Sequence, residues 1–335
     1  MKNNYLSILA KLTNKNIAWA VLAFVCLGLF SCDNEDYDKP TVVERGVTGS
    51  LSWEFTGDYV LTIRGNGAIP DYTRDSNAPW YSRKGLIKTI VIGDGVISIG
   101  DYAFFDCLNI TSITIPNNVI SIGQYAFSNC KKLTDINISN SVKSIDQFAF
   151  SGCTELVNIN IPNGVVSIEE TVFIGCHKLT NIDVALDNPA YTSKDGVLFN
   201  RDKTELKVYP NNKASYYTIP HSVITIGIWA FASCTNIYSI NITHGVTRIG
   251  YRAFSGCTNL ESLTIPSSVT MIGDEVFAGC TNLASVTILA TTPPAIGSTG
   301  LWGAYKAILY VPKGCVDMYK ATGWAYTFRE IKERE

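Results

Sequence analysis

The chain has 335 residues, 46% hydrophobic and 17% charged, with a formal net charge of −2 at pH 7. That is enough chain for a sizeable core, but it carries no basic patch, which argues against nucleic acid and anionic lipid headgroups as partners. At the amino terminus, Lys2, Lys11 and Lys15 precede an uncharged run from Ile17 to Phe30. This is a positive n-region followed by an apolar h-region of 14 residues, too short to span a bilayer comfortably. Residues 1–31 therefore read as a signal peptide. With three lysines and no acid in it, its removal takes the net charge from −2 to −5.

Leu29-Phe30-Ser31-Cys32 resembles the lipobox of bacterial lipoproteins. The resemblance implies cleavage before Cys32 and acylation of that residue; the plainer reading is an ordinary signal peptide with a chance cysteine. Each buried CH₂ of an acyl chain contributes roughly 0.8 kcal/mol, so two or three chains make a stable anchor where one does not. Directly after it, Asp33-Asn34-Glu35-Asp36-Tyr37-Asp38 is similar to the acidic export signal that sends lipoproteins to the outer face of the outer membrane in one group of anaerobic Gram-negative bacteria. The same cluster also reads simply as a solvated linker. Residues 32–45 are expected to be an acidic tether, on a protein anchored in the outer membrane and facing the exterior.

From Gly46 the pattern changes. Leu51–Phe55 and Tyr59–Ile63 alternate apolar and polar residues around Thr56-Gly57-Asp58, a β-hairpin signal. Gly65, Gly67 and Pro70 end it, and Ala78-Pro79-Trp80-Tyr81 comes next as a compact aromatic turn. Residues 46–86 are placed to cap one end of a periodic region that begins at Ile87, since a solenoid end exposes an apolar cross-section.

The periodic region is a repeat. Phe104, Phe127, Phe150 and Phe173 lie 23 residues apart, as do Phe231, Phe254 and Phe277 after a gap of 58. Counting from each Phe, Val stands eight before, Ile five before and Cys three after, in every copy. Gly stands four before at 100, 123, 227, 250 and 273, with Asp146 and Glu169 departing. Aliphatic residues nine and eleven after alternate with polar neighbours, the period of a strand. The glycine-led segment has room for no more than one helical or 3-10 turn. Each copy is therefore a short parallel strand, a corner, one turn and a return. A single copy cannot bury its apolar face, whereas copies stacked at the strand spacing bury all of them in one column.

The predicted fold is a β-rich α/β leucine-rich-repeat solenoid of 23-residue coils with one parallel sheet, over residues 87–290. Residues 185–213 break the period and suggest a hairpin bulging from one coil. Ile308–Val311 resembles a last strand, so about ten coils are expected, and residues 291–335 form a C-terminal cap closed by an amphipathic segment from Val316 to Ile331.

The repeat L-x-x-I-x-I-P-x-x-V-x-x-I-G-x-x-A-F-x-x-C, matched closely by 110–130, 156–176 and 260–280, resembles the BspA-type leucine-rich repeat of bacterial cell-surface proteins. The insert from Asn188 to Phe199 and the ending Val311–Lys320 resemble elaborations seen in that family. The resemblance implies a surface protein, in some members an adhesin for host extracellular proteins or other bacteria.

Candidate chemistry is sparse. Cys107, Cys130, Cys153, Cys176, Cys234, Cys257 and Cys280 share one phase. Stacked neighbours have parallel Cβ directions, which fit a disulfide poorly, so a ladder of buried thiols is the plainer reading against disulfides or soft-metal ligation. Cys176 and His177 are adjacent, but Cys should point inward and His outward, which excludes a nucleophile–base pair. His221 and His244 both fall in the corner after a strand. HExxH, GxSxG, Walker and CxxC patterns are missing. No catalytic residue, metal site or cofactor is expected.

Binding features are better supported. The positions eight and ten after each Phe should face out across the sheet: Ser112 and Thr114, Asp135 and Asn137, Asn158 and Asn160, Asn181 and Asp183, Tyr216 and Thr218, Ser239 and Asn241. Such short polar side chains can hold a ligand, or can simply bond between strands and keep a flat sheet soluble. A second column, two residues before each Phe, holds Tyr102, Tyr125, Phe148 and Trp229. Exposed, these rings mark a protein-interaction patch; otherwise they pack over neighbouring turns. The expected function is non-enzymatic display of a repeat scaffold that binds a protein or glycan, in adhesion or cell–cell contact. A structural spacer or accessory subunit of a surface complex is the alternative, and a hydrolase built on the insert a remote one.

Overall fold

The computed structural model describes residues 40–297, 301 and 303–335. The expected signal peptide, the lipidation candidate Cys32 and the acidic cluster lie outside them. Thr41–Glu335 is one compact unit.

The expected hairpin is present as Leu51–Thr56 and Val60–Gly65, and a further strand, Val42–Thr48, pairs antiparallel with its first arm. The ordered cap thus begins at Val42 and takes in the last residues of the expected tether. Val60–Gly65 then pairs in parallel with Thr89–Ile92, which opens the solenoid. Over this junction sits Trp80, fully buried. It stacks on Phe104 at 5.8 Å, meets Trp53 and Tyr72 edge-on, and donates its indole N–H to Ala103 O at 2.8 Å. The first coil is therefore covered by a tryptophan rather than by water.

The strands of the repeat lie at the expected positions: Ser112–Thr114, Asp135–Asn137, Asn158–Ile161, Asn181–Val184, Tyr216–Thr218, Ser239–Asn241, Ser262–Ile265, Ser285–Ile288 and Ile308–Val311. Their pairing is parallel and in register, Ile113 opposite Ile136 and Ile159 opposite Ile182. A second, narrower parallel ladder runs along another side of the coil. It is built from pairs such as Ser121–Ile122, Ser144–Ile145 and Ser167–Ile168, and later Thr225–Ile226, Arg248–Ile249 and Met271–Ile272. The spacing hid it because a two-residue strand has no visible alternation.

Between the ladders the chain turns through single i+3-bonded turns, such as Ala103 N–H to Gly100 O and Cys107 N–H to Phe104 O. Two positions of the coil are left-handed in most copies. One lies two residues after the Phe, filled by Asp106, Asn129, Gly152, Gly175, Ser233, Gly256 and Gly279, residues that tolerate positive φ. The other is the aromatic column itself: Tyr102, Tyr125, Phe148 and Trp229 have φ of 55–58°.

The phenylalanines form a buried stack, Phe104–Phe127–Phe150–Phe173 with centroids 5.2–6.2 Å apart, and Phe231–Phe254–Phe277 beyond the insert. From Cys130 onward each ladder thiol donates to a backbone carbonyl one coil back, for example Cys153 Sγ to Phe127 O at 3.3 Å and Cys257 Sγ to Phe231 O at 3.1 Å. All the cysteines described are free and buried. Their desolvation pushes Cys107, Cys176 and Cys280 up to about 12 and raises Cys130, Cys153 and Cys257 well above the ordinary thiol value.

The insert holds the expected hairpin, Tyr191–Lys194 with Val197–Asn200, but a third strand extends it and packs it into the column. Tyr191–Lys194, Val197–Asn200 and Glu205–Val208 form a three-stranded antiparallel meander whose last strand joins the narrow ladder beside Thr225–Ile226. It is a wall between two cores, with Leu198 packed into the first and Val197, Phe199 and Tyr209 into the second. Here a different set of residues rebuilds a coil. Tyr209 stacks on Phe231 at 4.9 Å where a phenylalanine is due, and its carbonyl accepts from Cys234 Sγ at 3.5 Å. Asn211 takes a cysteine's place and donates to Ala232 O.

The closing segment is less regular than expected. A short helix Val316–Lys320, a 3-10 turn Gly323–Tyr326 and a strand Glu330–Glu333 lie where one amphipathic run was read. Tyr319 and Trp324 are buried and reach back to the last coil through Tyr319 Oη to Ala290 O at 2.8 Å and Trp324 Nε1 to Pro294 O at 3.0 Å. Tyr326 is 93% exposed.

Candidate functional site

The broad ladder sets the first candidate surface. Alternation along each strand puts the middle aliphatic residue into the core and its two neighbours outside. Accordingly Ser112, Thr114, Asp135, Asn137, Asn158, Asn160, Asp183, Tyr216, Thr218, Ser239 and Asn241 are exposed, and Asn181 is half-buried. Register brings them together as rows: Ser112 beside Asp135 and Thr114 beside Asn137, then Asn158 beside Asn181 and Asn160 beside Asp183. Within the last pair of rows, Asn181 Nδ2 donates to Asp183 Oδ2 at 2.5 Å. The ladder is interrupted: Asp135–Asn137 and Asn158–Ile161 belong to separate strand pairs, and a wider break follows at the insert. Asn181–Val184 pairs only backward, and the insert lies against it, Ile182 N–H donating to Gly196 O, so Asp183 and Thr218 belong to two separate stretches. Beyond the break the surface is marked by tyrosines: Tyr216 is 56% exposed with its ring hydroxyl accepting from Thr218 Oγ1 at 3.0 Å, and Tyr238 stands exposed on the next coil.

The aromatic column is differently placed. Tyr102, Tyr125, Phe148 and Trp229 are half-buried. Tyr102 stacks on Tyr125 and Tyr125 on Phe148, both at 4.7 Å, so the faces of the central ring are occupied by its neighbours and its edge is what solvent meets. Phe105, unnoticed in the spacing, tilts against Tyr102, and Arg74 lies over its ring. Trp229 meets Tyr251 edge-on and carries Arg252 over its face at 4.8 Å, and Glu275 fixes that guanidinium through Nε at 2.7 Å. The column braces adjacent turns.

Its interruption has a local cause. In other coils the backbone N–H two before the Phe donates to a backbone carbonyl of the next coil, Tyr125 to Gln147 O and Trp229 to Tyr251 O. Phe148 N–H instead donates to the Thr171 hydroxyl at 3.2 Å. A β-branched residue is strongly disfavoured in the left-handed region. Thr171 is not among the residues with positive φ, and the column stops there.

Loop and corner groups complete the inventory. Asn188 is fully buried; its amide donates to Pro162 O and Val165 O, and its carbonyl accepts from Ala190 N–H and Tyr191 N–H, all within 2.9 Å. Beside it Leu186 is 90% exposed. Lys207 bridges Glu170 at 3.1 Å and Glu205 at 3.4 Å. Burial alone would lower its ammonium pKa, but the two carboxylates outweigh that and hold it raised. His177, exposed, points away from buried Cys176. Among the described residues no three His, Cys, Asp or Glu gather as metal ligands.

Two parallel ladders, an inward phenylalanine and thiol column and capped ends define a leucine-rich-repeat solenoid. A family model described as the BspA type leucine rich repeat region, in six copies, matches residues 78–192 and 203–298, more than half of the chain. The chain belongs to the BspA-type leucine-rich repeat proteins. Among solved structures it is similar to a leucine-rich repeat protein from Eubacterium ventriosum, at 28% identity and a TM-score of 0.66 over 85% of this chain and 83% of that one. It shares its fold with the pneumococcal vaccine antigen PcpA, at 17% identity and a TM-score of 0.59 over 88% of this chain and 99% of that one. A Bacteroides ovatus leucine-rich repeat protein aligns at 24% identity and a TM-score of 0.51, over 86% and 76% of the two chains. No curated protein matched the chain.

Proposed function

We propose that the chain is a non-enzymatic binding scaffold, displayed at a bacterial surface through acylated Cys32, whose strand face receives a protein partner. The observation that carries this reading is the set of rows from Ser112 to Asp183. Short hydroxyl, amide and carboxylate groups stand there two per strand, all exposed but the half-buried Asn181, and in register within each pair of strands. They offer many hydrogen bonds on a rigid surface with little side-chain entropy to lose. The exposed Tyr216 and Tyr238 beyond the break add the large amphipathic rings that anchor protein interfaces. The stacked column offers mainly ring edges, which favours a protein over a sugar that would need an open ring face.

The test is a pull-down of the purified chain against immobilised extracellular-matrix proteins, with a glycan array in parallel. A protein ligand lost in the double variant Asn158→Lys/Asn160→Lys, but retained in Lys178→Ala on the flank, is the expected result. Glycan binding alone, or binding indifferent to the ladder, would discard the reading, and no ligand on either platform would favour the spacer. Anchoring is tested separately: Cys32→Ala should abolish labelling by radiolabelled palmitate and release the protein from membranes, and intact cells should expose the chain to added protease.

A further inference from the structure

The chain has three histidines, and two of them occupy one site on the fold. Behind them, Tyr216–Thr218 and Ser239–Asn241 pair in parallel with Thr218 opposite Asn241. Register persists past the strands, where Ile219 N–H donates to Asn241 O at 3.0 Å. Each histidine then enters the same kind of turn, closed by Val223 N–H to Pro220 O at 3.0 Å in one coil and Val246 N–H to Thr243 O at 3.1 Å in the next. The turns nest closely: a Cβ added at Gly245 would lie 2.8 Å from His221 O. His221 and His244 are thus one coil apart, with Cα atoms about 4.8 Å from each other, and leave the backbone from equivalent positions. Both side chains are exposed. Elsewhere this corner position holds Asp94, Asn117, Asn140, Asn163 and Ser267, small turn-forming residues, so the two neighbouring histidines depart from the repeat in succession.

We propose that His221 and His244 form a two-imidazole site for a late first-row divalent cation, holding Cu²⁺ more tightly than Ni²⁺ or Zn²⁺. Neutral imidazole suits these ions, and affinity for a given nitrogen site rises to Cu²⁺ along the series. Bonds to imidazole nitrogen are about 2.0–2.1 Å, and two rings carried in parallel one coil apart can turn their nitrogens onto adjacent positions of one ion. With no third protein ligand gathered beside them among the described residues, water occupies the remaining positions and the ion is exchangeable.

The experiment uses the full chain without a polyhistidine tag, titrated calorimetrically with CuCl₂, NiCl₂ and ZnCl₂, with the Cu²⁺ complex read by electron paramagnetic resonance. One tight equivalent of Cu²⁺ with hyperfine structure from two imidazole nitrogens is expected. His221→Asn and His244→Asn install a residue that the repeat itself carries at this corner, and circular dichroism checks that they fold. Each should weaken Cu²⁺ binding by no less than the roughly 10–100-fold that loss of an outer-shell partner costs. His177→Asn should leave it unchanged. No uptake at one equivalent, uptake that survives both substitutions, or loss on changing His177 would each overturn the proposal.

Discussion

A buried cysteine three residues after each phenylalanine packs as a small apolar side chain, and from Cys130 onward its thiol also donates weakly to the carbonyl one coil back. Its protonation is tied to folding. An unfolded thiol ionises near 9, whereas Cys107, Cys176 and Cys280 are pushed up to about 12 by burial. A raised pKa in the folded chain means that stability is full below pH 9 and is lost as pH rises toward 12. Each such thiol withdraws up to about 1.4 kcal/mol per pH unit in that window. The urea midpoint followed by circular dichroism should therefore hold up to about pH 9 and fall steeply above it, toward pH 12; a flat midpoint would refute the coupling. The aromatic column gives a second prediction. Tyr125 sits at φ 55°, where any L side chain is strained by roughly 1–2 kcal/mol. Tyr125→Ala loses both stacking partners and keeps the strain, whereas Tyr125→Gly loses the rings and relieves it. Glycine should be the less destabilising substitution, the reverse of its effect in an ordinary strand, and paired melts of the two variants decide it.

At the scale of the element, the insert separates what could be read from residue patterns from what could not. The coil strands were legible because apolar residues nine and eleven after each phenylalanine alternate with polar ones, and the outward rows came directly from that alternation. The narrow ladder escaped because Ser-Ile pairs are too short to show a period. In the meander, Tyr209 and Asn211 do the work of phenylalanine and cysteine with no shared motif, and only their contacts with Phe231 and Cys234 show the substitution. Tyr102, Tyr125 and Phe148 were placed by spacing, yet whether they face solvent or each other depends on a backbone angle that spacing does not carry. The insert's own anchor is Asn188. Replacing it with alanine leaves Val165 O and the N–H of Tyr191 buried without partners, takes from Ala190 N–H its acceptor, and leaves Pro162 O only its bond from Val165 N–H. A single unmet buried group costs about 1–3 kcal/mol, so Asn188→Ala should destabilise by at least that much. Hydrogen exchange should speed first at 185–200 while the phenylalanine stack of 104–150 stays protected; uniform acceleration would show that the loop is not a separate cooperative unit.

For the whole molecule, the consequence of stacking is that each coil is stabilised only by its neighbours, and the insert divides the column into two cores. Phe104 to Phe173 belong to the first and Phe231 to Phe277 to the second. In such a quasi-one-dimensional array stability is close to a sum of coil and interface contributions, and local damage need not spread evenly. Phe127 and Phe254 are both fully buried between two neighbouring rings, stacked on both sides for Phe127 and stacked on one side and tilted on the other for Phe254. Truncating either to alanine removes the same chemistry, at about 3–5 kcal/mol. If the meander acts as a wall, Phe127→Ala should lower protection chiefly across residues 89–184, and Phe254→Ala chiefly across 216–311. The two losses should nearly add in the double variant, as expected for distant sites without shared partners. Hydrogen exchange with mass spectrometry on the three variants reads this directly. Equal loss of protection in both halves from either single substitution would mean that the column folds as one cooperative body, and that Leu198 and Phe199, which point into opposite cores, couple them instead of partitioning them.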